Sequence, residues 1–319
     1  MTKRQYILFI IPALIWGSTW YVIKFQLGMV DPLLSVAYRF MLAGVLLISF
    51  CLFTGRSMKF TFHEHFLILL LGLSLFGFNY WFVYQAETIL TSGVVAVIFS
   101  LIIVFNIIFN ALFLNGKIKR DVIFAAVLGI IGTVFLFKNE LSTFSLNTKD
   151  AIVFVICLGG IITASLGNIL SAYKQKRKIP VLQTNAFGML YGGSAMFLTV
   201  LLLKKPIIFE TTLNYVLSLF YLAVFGSIIA FSTYLKLLGE IGPDRSVYIS
   251  IITPAIAIVI STIFEGYKWD LFAVAGIILL FSGNFLALRF KHKKHHYETS
   301  HGQNAYADKP YKDEFHRIP

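Results

Sequence analysis

Apolar runs almost free of charge recur along nearly the whole chain, broken at short intervals by polar or basic residues. A helix needs about 20 such residues to cross the hydrocarbon core of a bilayer. Runs of that kind lie at Tyr6–Lys24, Leu33–Phe53, Phe66–Ala86, Ser92–Leu114, Val122–Phe137, Ala151–Tyr173, Val181–Leu203, Leu213–Leu235, Val247–Phe264 and Leu271–Leu288. The pattern predicts an all-α integral membrane protein with about ten transmembrane helices. Asn139–Asp150 and Lys204–Thr212 read as polar breaks, and Lys174–Lys178 as a basic break with no acid. The fifth run is short and the second carries Arg39 near its start, so these two fit the pattern least well.

Composition narrows the class. Of 319 residues, 58% are hydrophobic and 13% charged, against roughly 25% charged in soluble domains. A water-soluble fold could not cover its outside with so few polar groups, so the lipid bilayer is the expected surrounding. The net charge of +12 does not point to nucleic acid, because the Lys and Arg residues form no stripe. They cluster between apolar runs, as topology signals do. With the N-terminus in the cytoplasm, about 13 Lys and Arg fall inside and 7 outside before the tail, which adds 7 more inside. Both termini are therefore expected in the cytoplasm, with an even number of spans. Lys3 and Arg4 make a basic start, but no small-residue cleavage pattern follows, and the first run is read as a retained helix. Cys51 and Cys157 sit inside apolar runs without a CxxC pair. Residues 291–319 hold five of the seven His residues and read as a polar, disordered cytoplasmic tail, with metal binding as the alternative.

Ten runs divide into five plus five. Tyr84–Phe137 and Leu235–Leu288 show weak self-similarity at an offset of 151 residues, pairing Ser92 with Pro243, Phe113 with Phe264 and Gly132 with Gly283. Because five is odd, two such halves would enter the membrane in opposite senses. The expected organisation is a first repeat over 1–138, a connection over 139–150 and an inverted second repeat over 151–290. Chance likeness among apolar helices is the competing reading.

Several short pieces carry a further likeness: Pro12-Ala-Leu-Ile-Trp-Gly-Ser-Thr-Trp, Tyr38-Arg-Phe-Met-Leu-Ala, Gln85-Ala-Glu, Ile252-Thr-Pro-Ala-Ile-Ala and Phe264-Glu-Gly. Together, over most of residues 6–290, the chain resembles the EamA-type members of the drug/metabolite transporter superfamily. The resemblance implies ten helices in two inverted five-helix repeats, a central cavity lined from both halves, and export of amino acids, other metabolites or amphipathic compounds across an inner membrane. One departure stands out. The family's Pro and Glu around the fourth helix are replaced by Ile103 and Asn115-Gly116, whereas Pro254 and Glu265 are kept in the second half.

Candidate chemistry is sparse. Glu87, Glu240, Asp244, Glu265 and Asp270 all lie near the ends of runs, with no carboxylate in the middle of one. Ionisable groups within a membrane are costly and mark function, so Lys24 and Arg39 draw attention, as snorkelling side chains or as an outer gate. His63 and His65 read as solvated loop residues. Pro12 and Gly17 in the first run, and Gly159, Gly160 and Gly167 in the sixth, would loosen the helical ladder where a site forms, or else serve close packing. Gly160, Ala164, Asn168 and Ser171 share one helix face, and Asn106 and Asn110 another.

The expected substrate-lining set is Trp16, Trp20, Asn79, Tyr80, Trp81, Asn168 and Tyr191, with Pro12, Gly17, Arg39 and Pro254 as gate or hinge residues. An interfacial aromatic belt is the rival reading for the third run. Motifs for hydrolysis or nucleotide binding are absent, so neither an enzymatic role nor a cofactor is implied. A small-molecule substrate is the expected partner, and a second copy of the chain is a possible one. A membrane-embedded enzyme acting on lipid and a non-transporting receptor are the alternatives to a carrier.

The charge asymmetry generates a direct test. Green fluorescent protein fused after Pro319 should fluoresce in a bacterial host, and alkaline phosphatase at the same place should stay inactive. The reverse pattern would invert the topology.

Overall fold

With no water to bond to in hydrocarbon, a spanning backbone must satisfy its own N–H and C=O groups, and a helix does so within one segment. A computed structural model describes residues 2–114, 120–136, 149–177, 179–241, 249–283 and 285–286. Among these residues the regular structure is helical and there are no strands. Seven helices are long and apolar enough to cross a bilayer: Lys3–Gln26, Pro32–Phe53, Phe62–Glu87, Ser92–Phe113, Ile152–Gln175, Val181–Leu202 and Leu213–Tyr234. Ile252–Phe264 and Leu271–Gly283 are shorter apolar helices. The expected tail, most of the polar break over 139–150, and Pro243 lie outside the described residues.

The elements, in chain order, are α1 (Lys3–Ile23, continued by a 3-10 turn Lys24–Gln26) and α2 (Pro32–Phe53). They are followed by α3 (Phe62–Leu71), α4 (Asn79–Glu87), α5 (Ser92–Phe99), α6 (Ile102–Leu114) and α7 (Arg120–Leu136). Next come α8 (Lys149–Lys176), α9 (Val181–Leu202), α10 (Leu213–Tyr221), α11 (Ala230–Ile241), α12 (Ile249–Phe264) and α13 (Leu271–Gly283). Helix starts follow local chemistry. Asp31 caps the Leu33 N–H with Pro32 in the first turn, and Thr61 and Glu64 form a reciprocal capping box.

Two spans are interrupted in the same way. A π-helical segment, Gly72–Phe78, joins α3 to α4, and a second, Leu222–Ile229, joins α10 to α11. The two begin 150 residues apart in the chain. A π turn widens the backbone by one residue and recurs at functional sites. These interruptions were not legible in the hydrophobic pattern, which keeps the same apolar run through them.

Small residues set the tightest crossings. A methyl group on Gly44 of α2 would lie 2.6 Å from the backbone nitrogen of Leu190 in α9, and one on Gly193 of α9 would lie 2.6 Å from that of Met41. Gly192 backs onto the first π segment, where an added Cβ would fall 2.5 Å from the Gly72 carbonyl oxygen. Lipid gives helices no hydrophobic drive to associate, so close backbone approach of this kind supplies the attraction. The main buried cluster gathers around this crossing, with Leu34, Phe40, Ala43, Leu71, Phe76, Ala186, Met189 and Met196 all buried. A second cluster joins α5, α8, α12 and α13 through Val95, Ile98, Cys157, Ile161, Ile258 and Leu280.

Pro12 and Gly17 do not interrupt α1, which is helical throughout. Gly17 is instead a packing residue, where a Cβ would clash with Ile256 of α12 at 2.6 Å. Gly159 and Gly160 are likewise pressed against Phe82 and Phe99, and Gly167 against Leu75. The small residues of the first and sixth spans thus admit neighbours rather than break helices. His63 and His65, expected in a loop, belong to α3.

Gly192→Val should lower the thermal midpoint of the detergent-purified protein, since overpacking a tight site costs about 1–3 kcal/mol. Ser194→Val, on the exposed side of the same helix, should leave it unchanged when both are followed by size-exclusion melting.

Candidate functional site: a roofed aromatic cavity

Aromatic residues converge from several helices on one cavity of about 170 Å³. Helix α1 contributes Trp16, Thr19, Trp20 and Ile23. The first π segment and α4 contribute Leu75, Asn79, Tyr80 and Val83. Ala96, Phe99, Ser100 and Ile102 come from α5 and α6, and Ala164 and Asn168 from α8. Phe231 and Tyr234 of α11 and Thr253 and Pro254 of α12 complete the wall. A dry cavity of about 150 Å³ holds benzene, so in this shape the space suits a group of that size rather than a drug-sized molecule, which fills 300–1,000 Å³ pockets.

Among the described residues no charged side chain lines the cavity. Its polarity comes from a few amides and hydroxyls. The Asn79 amide donates to the Leu75 carbonyl (3.2 Å), leaving Oδ1 without a donor among the described residues. Thr253 Oγ1 is also unmet. Asn168 donates to Asn106 Oδ1 (3.3 Å), which also accepts from Ser165 (2.8 Å). That triad answers how a lone amide survives in an apolar helix: it finds its partner on α6. The indole of Trp16 donates to the Gly226 carbonyl (3.2 Å) and packs edge-on against Phe231 at 5.1 Å. Gly226 lies in the second π segment, so one wall aromatic is fixed through the irregular backbone.

Five of the seven expected lining residues meet here: Trp16, Trp20, Asn79, Tyr80 and Asn168, together with Pro254. Trp81 and Tyr191 do not. The Trp81 ring turns toward Phe78 and Phe82. The Tyr191 hydroxyl shares a hydrogen bond of 2.9 Å with His65 Nδ1, beside Phe187. Helical spacing explains the first miss, because position 81 is rotated by about 100° from position 80. Tyr191 sits on α9, none of whose residues lines the cavity.

Arg39 is wholly buried, not snorkelled to an interface. Its guanidinium lies 4.4 Å from the ring centroid of Tyr80, which lines the cavity, and 5.0 Å from that of Phe40. Nε donates to Ser227 in the second π segment (3.2 Å), while Nη1 and Nη2 have no acceptor among the described residues. Gly226 makes room: a Cβ there would be 3.2 Å from Nη2. A desolvated cation over an aromatic face is worth about 2 kcal/mol, so Arg39 braces the Tyr80 ring from behind.

The cavity is roofed at the face of the bundle opposite the start of α1. Lys24 follows Ile23, Glu87 stands one turn beyond Val83, and Ser92 one turn before Ala96, so each roof residue adjoins a lining residue. Lys24 Nζ donates to the carbonyls of Glu87 (2.5 Å) and Leu90 (2.6 Å) and lies 3.7 Å from Glu265 Oε1. Glu265 also accepts from the Ser92 N–H at 3.2 and 3.1 Å, and from the Ser92 hydroxyl. The latch therefore ties α1, the α4–α5 link and the end of α12. On the same face Lys205 pairs with Asp31 at 2.5 Å. Buried Gln26 donates to the Tyr215 carbonyl (2.8 Å) and the Ser218 hydroxyl (2.5 Å). Sequence reasoning marked Lys24 but passed over Gln26, Ser92 and the role of Glu265 in the roof. The available signal was that all are polar residues at run ends.

Comparison with known proteins agrees with this architecture. The EamA-like transporter family pattern matches residues 3–138 and 150–289. The chain belongs to the EamA-like transporter family. It is 28% identical over 251 residues to the inner membrane transporter YedA of Escherichia coli K12, covering 78% of this chain and 79% of that one. It is 24% identical over 284 residues to the protein PagO of Salmonella typhimurium, covering 88% of this chain and 92% of that one. A solved crystal structure superposes with a TM-score of 0.66 at 16% identity, covering 92% of this chain and 99% of its own, and shares the fold. The protein is a multi-pass membrane transporter.

The latch can be probed with cysteine, since the native Cys51 and Cys157 are both buried. Ala96→Cys, on the cavity wall and 2% exposed, should resist a membrane-impermeant maleimide applied to the roofed face of intact cells. Adding Glu265→Gln should raise its labelling several-fold. Equal labelling in both backgrounds would mean that Glu265 does not hold the roof shut.

Proposed function

We propose that this transporter is a secondary carrier for small organic solutes, with amino acids the first class to test. It exports them from the cytoplasm across an inner membrane, both termini being cytoplasmic. The observation that carries the reading is the cavity: aromatic, free of charge, drawn from residues in both halves of the chain, and closed on one face by a latch of ion pair and hydrogen bonds. A neutral, polarisable wall with a few amide and hydroxyl groups suits a solute that is uncharged overall and has an apolar or aromatic part. Among the described residues the lining contains no carboxyl, imidazole, thiol or amine, which favours passage over chemistry.

Two five-helix inverted repeats, 1–138 and 151–290, would give this carrier its alternating access. Several features support that organisation. The family pattern matches in two stretches, and the two π segments stand at corresponding places in the halves. The packing is also reciprocal. Helix α1 packs on α11 as α8 packs on α4, and α1 on α12 as α8 on α6. The second π segment meets α2 as the first meets α9, while α2 with α9 and α5 with α12 cross between the halves. Exchanging the halves maps this set of neighbours onto itself, as a pseudo-two-fold axis in the membrane plane requires. Rocking about that axis would open the roof as the opposite face closes.

Counterflow of a labelled amino-acid panel in proteoliposomes tests the proposal. Saturable counterflow that falls at least tenfold in Trp20→Ala and Asn168→Ala is expected. Counterflow unaffected by both changes would remove the cavity from the transport path, and no flux with any amino acid would remove that solute class.

A further inference from the structure

The Glu87 carboxyl is the group in the roof that the latch does not use. It lies in the last turn of α4, 1% exposed, and neither carboxyl oxygen has a donor among the described residues. A carboxylate can accept at about four lone-pair sites, so this is a large deficit. The neighbours that could fill it do not: Arg39 Nη1 and Nη2 and the Tyr84 hydroxyl, themselves without partners among the described residues, make no hydrogen bond to it, and the others are committed elsewhere. Lys24 spends its hydrogens on the backbone carbonyls of Glu87 and Leu90 and faces Glu265. Arg39 lies against the faces of Tyr80 and Phe40 and gives Nε to Ser227. Ser92, the first residue of the neighbouring helix α5, bonds Glu265.

The charged and titratable groups around Glu87 come from several elements. Lys24 approaches from the end of α1, Arg39 from α2, Glu265 from the end of α12 and Cys157 from α8, with Tyr80 and Tyr84 on α4 itself. Glu87 and Glu265 thus compete for Lys24, and in this conformation Glu265 has it.

We propose that Glu87 is a proton-binding site, loaded while the roof is latched and emptied when the roof parts. A buried carboxyl with no donor is held more readily as the neutral acid, which carries its own hydrogen. Parting the roof separates Lys24 from Glu265. Lys24 then turns to the carboxyl on its own side of the gap, and water reaches both. The proton leaves Glu87 for solvent and the new ion pair takes its place. On closing, Glu265 reclaims Lys24 and Glu87 takes up a proton. The site stands one turn beyond Val83 on the cavity wall, so a solute in the cavity and a proton on Glu87 report to the same latch. Coupling of the proton to solute rests on the carrier reading above. The proton site itself does not.

Infrared difference spectroscopy between acid and alkaline buffer, on the full chain in lipid nanodiscs, tests the site without any solute. The expected result is a carbonyl-stretch band of a buried protonated carboxyl that is lost in Glu87→Gln, shifted in Glu87→Asp and weakened in Glu265→Gln, which frees Lys24 to pair with Glu87. A wild-type spectrum without such a band, or a band that survives Glu87→Gln, overturns the proposal. Where the amino-acid panel gives counterflow, the ratio of uptake with and without an imposed pH gradient should exceed tenfold in the wild type and fall to unity in Glu87→Gln. A gradient response that persists in that variant overturns the coupling. A silent panel bears only on the choice of solute, since the infrared result is read independently of it.

Discussion

Every backbone polar group inside hydrocarbon must find its partner within the protein, and the rest of this structure depends on that constraint. It makes each span a helix, because only a helix bonds its own backbone. It also gives each departure from a plain helix a visible consequence. In the second π segment the Gly226 carbonyl accepts from the Trp16 indole and Ser227 accepts from Arg39. One cavity aromatic and one buried cation thus each have a partner in that irregular turn.

The same constraint explains where charge is found. The cavity wall has none, while its roof concentrates Lys24, Glu87 and Glu265, with Arg39 directly behind the wall. Charges paired across a seam between helices hold it shut, yet such pairs are replaceable by water once the seam opens. Apolar contacts such as those of Gly44 and Leu190 offer no such exchange. The α2–α9 crossing is therefore the seam less easily parted, and the charged roof the one that water can more readily enter.

Much of the fold was legible in the sequence. Run lengths gave the all-helical membrane class, and the expected span bounds differ from those described by only a few residues, as at Val181–Leu202. The first and third runs supplied Trp16, Trp20, Asn79 and Tyr80, since an aromatic or amide in the middle of a span calls for a reason. Tyr191 was misplaced because a helix has several buried faces and one sequence does not say which faces the cavity. Arg39 was read as able to snorkel because its run position is near an end. Only the neighbouring helices show that it is enclosed.

What the sequence determined alone is whatever depends on composition and period along one helix: the solvent, the spans and the scarcity of charge within the membrane. Tertiary structure decided which side chains meet. Lys24 and Glu265 are separated by most of the chain, as are Trp16 and Gly226, and no local pattern specifies such partners. The π segments belong to the same class. Their apolar sequences suit an α-helix equally well, and packing against Gly188, Gly192, Thr19 and Arg39 selects the wider turn. Hydrophobicity varies with position along a helix, whereas hydrogen bonds between helices depend on distance and angle, which exist only once the helices have packed.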